Sequence, residues 1–102
     1  MSNKTYTMDE LRKKIGKILS NFPVEKAILF GSYAKGEATS NSDIDLVIDS
    51  NDQIQGLKFY GVRATLEDKL KKNFDLIEQE EIIKGGKIEK EIIKTGVIIY
   101  GD

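Results

Sequence analysis

Asp43 and Asp45 stand two positions apart in "DIDLVI", residues 43 to 48, a run that is otherwise apolar. Alternate side chains of an extended strand share a face, so the two carboxylates lie about 6.6 Å apart at about 3.3 Å per residue. Like charges held side by side repel, and a bound divalent cation turns that repulsion into attraction. Mg²⁺ suits such a pair, because it takes oxygen ligands, keeps some of its water and accepts substrate phosphates as the rest of its shell. A solvated edge strand accommodates the same alternation without any ion, so the pair alone leaves both readings open.

Asp75 shifts the balance. It is the only acid among the first four positions of "FDLIEQ", residues 74 to 79, and sits between Phe74 and Leu76. If this run pairs with residues 43 to 48 so that Asp75 shares their carboxylate face, three acids converge in the layout of two-metal phosphoryl chemistry. Asp75 is then the natural acceptor of the attacking hydroxyl's proton. Upstream, Gly31-Ser32 follows the apolar run "VEKAILF" and precedes small residues and Gly36. Backbone amides there can approach a phosphate closely, and Ser32 adds a hydroxyl donor. A tight turn between two strands would use the same glycines.

What the chain lacks narrows its chemistry. It has no cysteine and no histidine, which removes disulfides, thiolate nucleophiles, serine–histidine hydrolysis and the usual transition-metal sites. Catalysis must rest on carboxylates, hydroxyls, lysines or a hard cation. Sixteen basic residues against seventeen acidic ones argue against a chain that coats nucleic acid or an anionic membrane, so neither is expected as a direct partner. No apolar run approaches the roughly 18 residues of a spanning helix, and the first residues carry no signal-peptide pattern, so a cytoplasmic protein is expected. The 102 residues are one domain's worth.

The elements that must position these groups follow from periodicity. Thr7-Met8-Asp9-Glu10 has the form of a capping box, and Met8, Leu11, Ile15, Ile18 and Leu19 repeat at helical spacing, predicting a helix from about 8 to 20. Strands are predicted at 24 to 30 and 43 to 48, the second with Ile44, Leu46 and Ile48 opposite Asp43, Asp45 and Val47. Phe59, Val62, Leu66 and Leu70 mark a helix that ends near Asn73, a candidate left-handed cap. A third strand follows at 74 to 79, then a short helix at 87 to 95 stopped by Gly96 and a last strand at 97 to 100. The expected order is α-β-β-α-β-α-β. Lysines at 69 to 72 and 84 to 94 read as solvated faces, and Ile82, Ile83, Ile92, Ile93 and residues 97 to 100 as core.

Gly31-Ser32, ten intervening residues and then Asp43-Ile44-Asp45 resemble the glycine–serine and Asp-x-Asp signature of the DNA polymerase beta-like nucleotidyltransferase superfamily. The run "GSYAKGEATSNSDIDLVI", with Asp75 downstream in "FDLI", is similar to its minimal nucleotidyltransferase branch, over nearly the whole chain. The resemblance implies an α/β fold of the α+β kind, a small mixed sheet with helices packed on one side, as a single minimal nucleotidyltransferase domain over residues 1 to 102. It implies ATP bound through Gly31 and Ser32, with Lys35 and Ser42 as further nucleotide contacts, and Mg²⁺, as two ions, held by Asp43, Asp45 and Asp75. Lys35 stands where many relatives carry arginine before the glycine, which keeps the charge and loses the bidentate fork. The acceptor surface is expected from elsewhere, since larger relatives add a helical domain for it. In the small members the partner is a helical HEPN-family toxin, and the enzyme acts as its antitoxin by transferring AMP to a tyrosine. Transfer to a small molecule or RNA, and neutralisation of the partner by binding alone, stand as alternatives.

Overall fold

The computed structural model describes residues 4–101. Helix α1 spans Met8–Leu19 and begins with the capping box: the Glu10 amide donates to Thr7 Oγ1 at 3.1 Å and the Thr7 amide to Glu10 Oε1 at 2.9 Å. Two orphan amides of the first turn are thereby satisfied. Strand β1 is Lys26–Phe30, helix α2 is Gly31–Lys35 and strand β2 is Ile44–Asp49. Helix α3 is Leu57–Leu70 and strand β3 is Phe74–Glu78, followed by a single 3₁₀ turn at Gln79–Glu81. Helix α4 is Lys87–Thr95 and strand β4 is Val97–Tyr100.

The strands form one mixed sheet in the order β3-β2-β1-β4. β1 runs antiparallel to both its neighbours, whereas β2 and β3 are parallel and joined by the α3 crossover. Ala27 and Leu29 of β1, Ile44, Leu46 and Ile48 of β2, and Phe74 and Leu76 of β3 point to one face. There they pack with Leu11, Ile15 and Leu19 of α1 and Val62, Leu66 and Leu70 of α3 in one buried cluster. Each helix offers residues three and four apart, and each strand offers alternate residues, so the two periodicities meet in one layer. This is the expected small mixed sheet with its main helices on one side. α4 covers part of the opposite face, where Gly96 lies against Ile28. Among the described residues no helix is long and apolar enough to cross a membrane.

Several local expectations are corrected. The residues after Gly31 form a helical turn, α2, where the sequence offered only a loop. Gly31 at φ +74° and Gly36 at φ +74° bracket it in the left-handed region that glycine adopts without strain. The left-handed cap of α3 is Lys71 (φ 56°), two residues before Asn73. Lys72 is buried at 3% exposure, its ammonium donating to the Ser40 carbonyl at 2.7 Å. Ile83 and Ile93 are 77% and 78% exposed and Ile98 is also exposed, so of the last strand it is Ile99 that enters the core.

Leu46 is fully buried in the middle of β2 between β1 and β3. We expect Leu46→Ala to cost about 2–5 kcal/mol, because the sheet cannot collapse around the lost side chain. Leu57→Ala, on the exposed start of α3, should stay within about 0.5 kcal/mol of the unaltered chain. Urea unfolding measures both, and equal effects would be inconsistent with this core.

Candidate functional site

The parallel ladder between β2 and β3 pairs Ile44 with Phe74, Asp45 with Asp75 and Leu46 with Leu76. Asp45 and Asp75 therefore sit side by side on the face away from α1 and α3, while their neighbours on both strands are buried beneath. Asp43 precedes β2 by one residue and is exposed, as is Asp75. β1 pairs Phe30 with Asp45, which brings the turn at Gly31 over the same carboxylate. A Cβ built on Gly31 would lie 2.0 Å from Asp45 Oδ2. That position accepts only glycine, because the backbone there is both left-handed and in contact with the carboxylate.

Hydrogen bonds from the C-terminal end of α3 and the residues after it fix the approach to this row. The Phe74 amide donates to Glu67 Oε2 at 2.8 Å, and the Ile44 amide to the Asn73 carbonyl at 3.0 Å. The Lys72 ammonium holds the Ser40 carbonyl in the loop that delivers Asp43. Within that loop Ser42 Oγ accepts from the Thr39 amide at 2.9 Å, and the Ser42 amide returns a bond to the Thr39 carbonyl at 3.1 Å. Ser42 thus shapes the turn. One of its two acceptor positions is engaged there, and the Thr39 hydroxyl lies 3.5 Å from its own. Tyr33 packs inward from α2, and its buried hydroxyl has no hydrogen-bond partner among the described residues.

Asp45 is half-buried, and its carboxyl is pushed up to about 6, first by burial and then by the charges of Asp75, Asp43 and Glu91. Glu91, on α4, is the site residue that the sequence reading missed. It pairs with Lys35 across a Nζ–Oε1 distance of 3.4 Å, joining α4 to the end of α2. Its one sequence signal is an acid interrupting the lysines at 87, 90 and 94. Among the described residues no three carboxylates are gathered tightly enough to enclose an ion unaided. The donor set nonetheless fits a hard cation: all its atoms are oxygens, Asp45 carries the repulsion of three nearby acids, and substrate oxygens could complete the shell.

Comparison with known proteins shows the family of the chain and supports its fold. The family model for polymerase beta nucleotidyltransferases matches residues 13–102. Protein adenylyltransferase MntA of Thermococcus cleftensis is 31% identical over 90 residues, covering 88% of this chain and 82% of its own. A Methanocaldococcus jannaschii chain with a provisional protein adenylyltransferase name is 36% identical over 72 residues, covering 71% of this chain and 84% of its own. Among solved structures, a toxin–antitoxin complex with AMP-PNP superimposes with a TM-score of 0.77 at 24% identity, covering 89% of this chain and 73% of that one. The tri-AMPylated Shewanella oneidensis HEPN toxin in complex with MNT antitoxin gives 0.73 at 21% identity, covering 94% and 74%. At these identities the superpositions speak for the fold.

The raised Asp45 carboxyl gives a pH-dependent stability. Its folded value, about 6, exceeds its ordinary value of 3.8, so the folded state favours the protonated form. The associated stability is fully present below pH 3.8 and is lost as pH rises through about 6. Asp45→Asn removes the charge at nearly constant shape. Without divalent cation it should raise the melting temperature at pH 8 and leave it nearly unchanged at pH 4, measured by thermal unfolding. Equal shifts at both values would remove like-charge strain from this position.

Proposed function

The chain belongs to the polymerase beta nucleotidyltransferase family, and from that premise we propose that it transfers AMP from ATP to a tyrosine hydroxyl of a HEPN-family toxin and so acts as that toxin's antitoxin. The observation that carries the reading is the pairing of Asp45 with Asp75 directly beneath the Gly31 turn. Naming supports the acceptor: one relative is protein adenylyltransferase MntA, and one structural neighbour is an antitoxin bound to an AMPylated HEPN toxin. We take residues 1 to 102 as a single minimal nucleotidyltransferase domain, matched by the family over 13–102.

In this reading the amides at Gly31 and Ser32, with the Ser32 hydroxyl, hold phosphate oxygens, and Lys35 contributes its charge one turn later. Asp43, Asp45 and Asp75 would hold Mg²⁺, which when bound supplies charge neutralisation on the phosphates and acidifies the attacking hydroxyl. In this proposal Asp75, exposed on the edge strand, meets the tyrosine O–H of an acceptor arriving at the side of the sheet. The tyrosine oxygen bonds to the α-phosphorus, the bond from that phosphorus to the bridging oxygen of the β-phosphate breaks, pyrophosphate leaves, and the tyrosine proton passes to Asp75. Burial of Asp45 strengthens every charge interaction at the site, since solvent screening is weaker there.

Incubation with ATP labelled at the α-phosphate, Mg²⁺ and a HEPN-family toxin from the same genome tests this directly. We expect label in that protein, as added AMP mass on tyrosine. Label in RNA or a small molecule instead would refute the acceptor assignment. Asp75→Asn keeps size and removes basicity, so ATP affinity should change little while transfer falls by a factor on the order of a hundred or more. A transfer rate within a few-fold of the unaltered chain, at unchanged stability, would remove Asp75 from the chemistry.

A further inference from the structure

The sheet order sets a direction across the site. Asp75 lies on edge strand β3, Asp45 on β2 and Gly31 at the end of β1, in that sequence. With the attacking hydroxyl at Asp75, an in-line displacement sends the leaving group the opposite way, over Gly31 and along α2 toward Lys35. What lies beyond Lys35 is α4, joined to it through the 3.4 Å contact with Glu91.

Lys87, Lys90 and Lys94 share one face of α4 at spacings of three and four residues, and Glu91 stands on that face with them, whereas Glu89, the other acid of the helix, accepts from the Gly85 amide. At about 1.5 Å per residue the three lysines span about 10 Å of helix. Together with Glu91 they line a shallow concavity of about 390 Å³. Like charges at this spacing oppose helix formation, and among the described residues none of the three lysines has an acidic partner within ion-pair distance. The acid that lines the concavity with them, Glu91, is already engaged by Lys35. In a chain of net charge −1 this is a local concentration of positive charge, reached from the carboxylates by way of Lys35.

We propose that Lys87, Lys90 and Lys94 form a polyphosphate ledge that, with Lys35, holds the β- and γ-phosphates of the incoming nucleotide and receives pyrophosphate as it leaves. The inference rests on the nucleotidyl-transfer reading and assigns the far end of the same site. Glu91 holds Lys35 toward the ledge until a phosphate oxygen competes for that ammonium. The ledge makes the β- and γ-phosphates, rather than the adenosine or the α-phosphate, the part it recognises by charge. It stands on the opposite side of the carboxylate row from the acceptor, so bond formation and pyrophosphate departure do not contend for space.

Calorimetric titration of the full chain in Mg²⁺ at low salt with ATP, AMP and inorganic tripolyphosphate tests the ledge by binding alone. The combined variant Lys87→Gln, Lys90→Gln, Lys94→Gln alters exposed side chains only, and circular dichroism verifies its fold. We expect ATP and tripolyphosphate to bind about tenfold or more weakly and AMP to stay within about twofold, because only the outer phosphates lose charge-assisted contacts. Added salt should narrow the difference as the charges are screened. The same change on α1, Lys13→Gln with Lys14→Gln, should leave all three affinities unaltered. Unchanged ATP and tripolyphosphate affinity in the α4 variant would overturn the proposal. So would a defect confined to the Michaelis constant for the acceptor protein, which would make the ridge a partner surface. If the unaltered chain binds tripolyphosphate through these lysines but does not bind ATP, the ledge stands and the nucleotide reading falls.

Discussion

Two carboxylates at partnered positions of a parallel ladder repel, and something else must hold them there. For Asp45 and Asp75 that restraint lies on the other side of the sheet. Ile44, Leu46, Phe74 and Leu76, the residues flanking the acids on both strands, are buried against α1 and α3. A slip of one residue in register would exchange the faces, placing the aspartates in the core and the leucines in water. The apolar layer therefore sets the distance between the acids, and burial, not mutual attraction, keeps the pair assembled. Gly31 completes the constraint from β1, since no larger side chain fits between its backbone and Asp45.

Under the proposed transfer, this arrangement would divide the two sides of the reaction by strand order. The edge strand carries the exposed Asp75, open to an acceptor from outside. The inner strands carry Asp45 and the glycine turn, and α4 with α2 extends that side in basic residues. The ion pair between Lys35 and Glu91 is partly exposed and adds little to stability. Its effect is geometric, because it orients a cation at the seam between two helices.

Much of this was legible in the sequence because it follows from local periodicity. The capping box at Thr7 fixed the start of α1, and the alternation through "DIDLVI" and "FDLIEQ" told which side chains share a face. Features set by tertiary geometry were not legible. Residues 31–35, Gly-Ser-Tyr-Ala-Lys followed by Gly36, have a composition shared by loops and helical turns alike, which hides α2 in the sequence. Lys72 follows a left-handed Lys71 that swings it inward to the Ser40 carbonyl, a direction that no charge pattern encodes. Glu91 and the exposed isoleucines depend on how α4 lies across β1, which is a long-range contact. Asp45 and Asp75 as a shared-face pair required knowing that β2 and β3 are neighbours and in which register.

The parallel pairing of β2 with β3 also has a kinetic side. Two parallel strands cannot close through a hairpin, so β2 and β3 are joined through the α3 crossover, and the ladder that pairs Asp45 with Asp75 closes a long loop. Contacts between residues so far apart in sequence carry a loop-closure cost that hairpins avoid, and they tend to form late in folding. β1 and β2, antiparallel and close in sequence, can associate earlier and bring the glycine turn to Asp45 on their own. Under the proposed transfer, a partly unfolded chain would then present the Gly31 turn with Asp43 and Asp45 but without Asp75, so that competence would arrive with the pairing of β3.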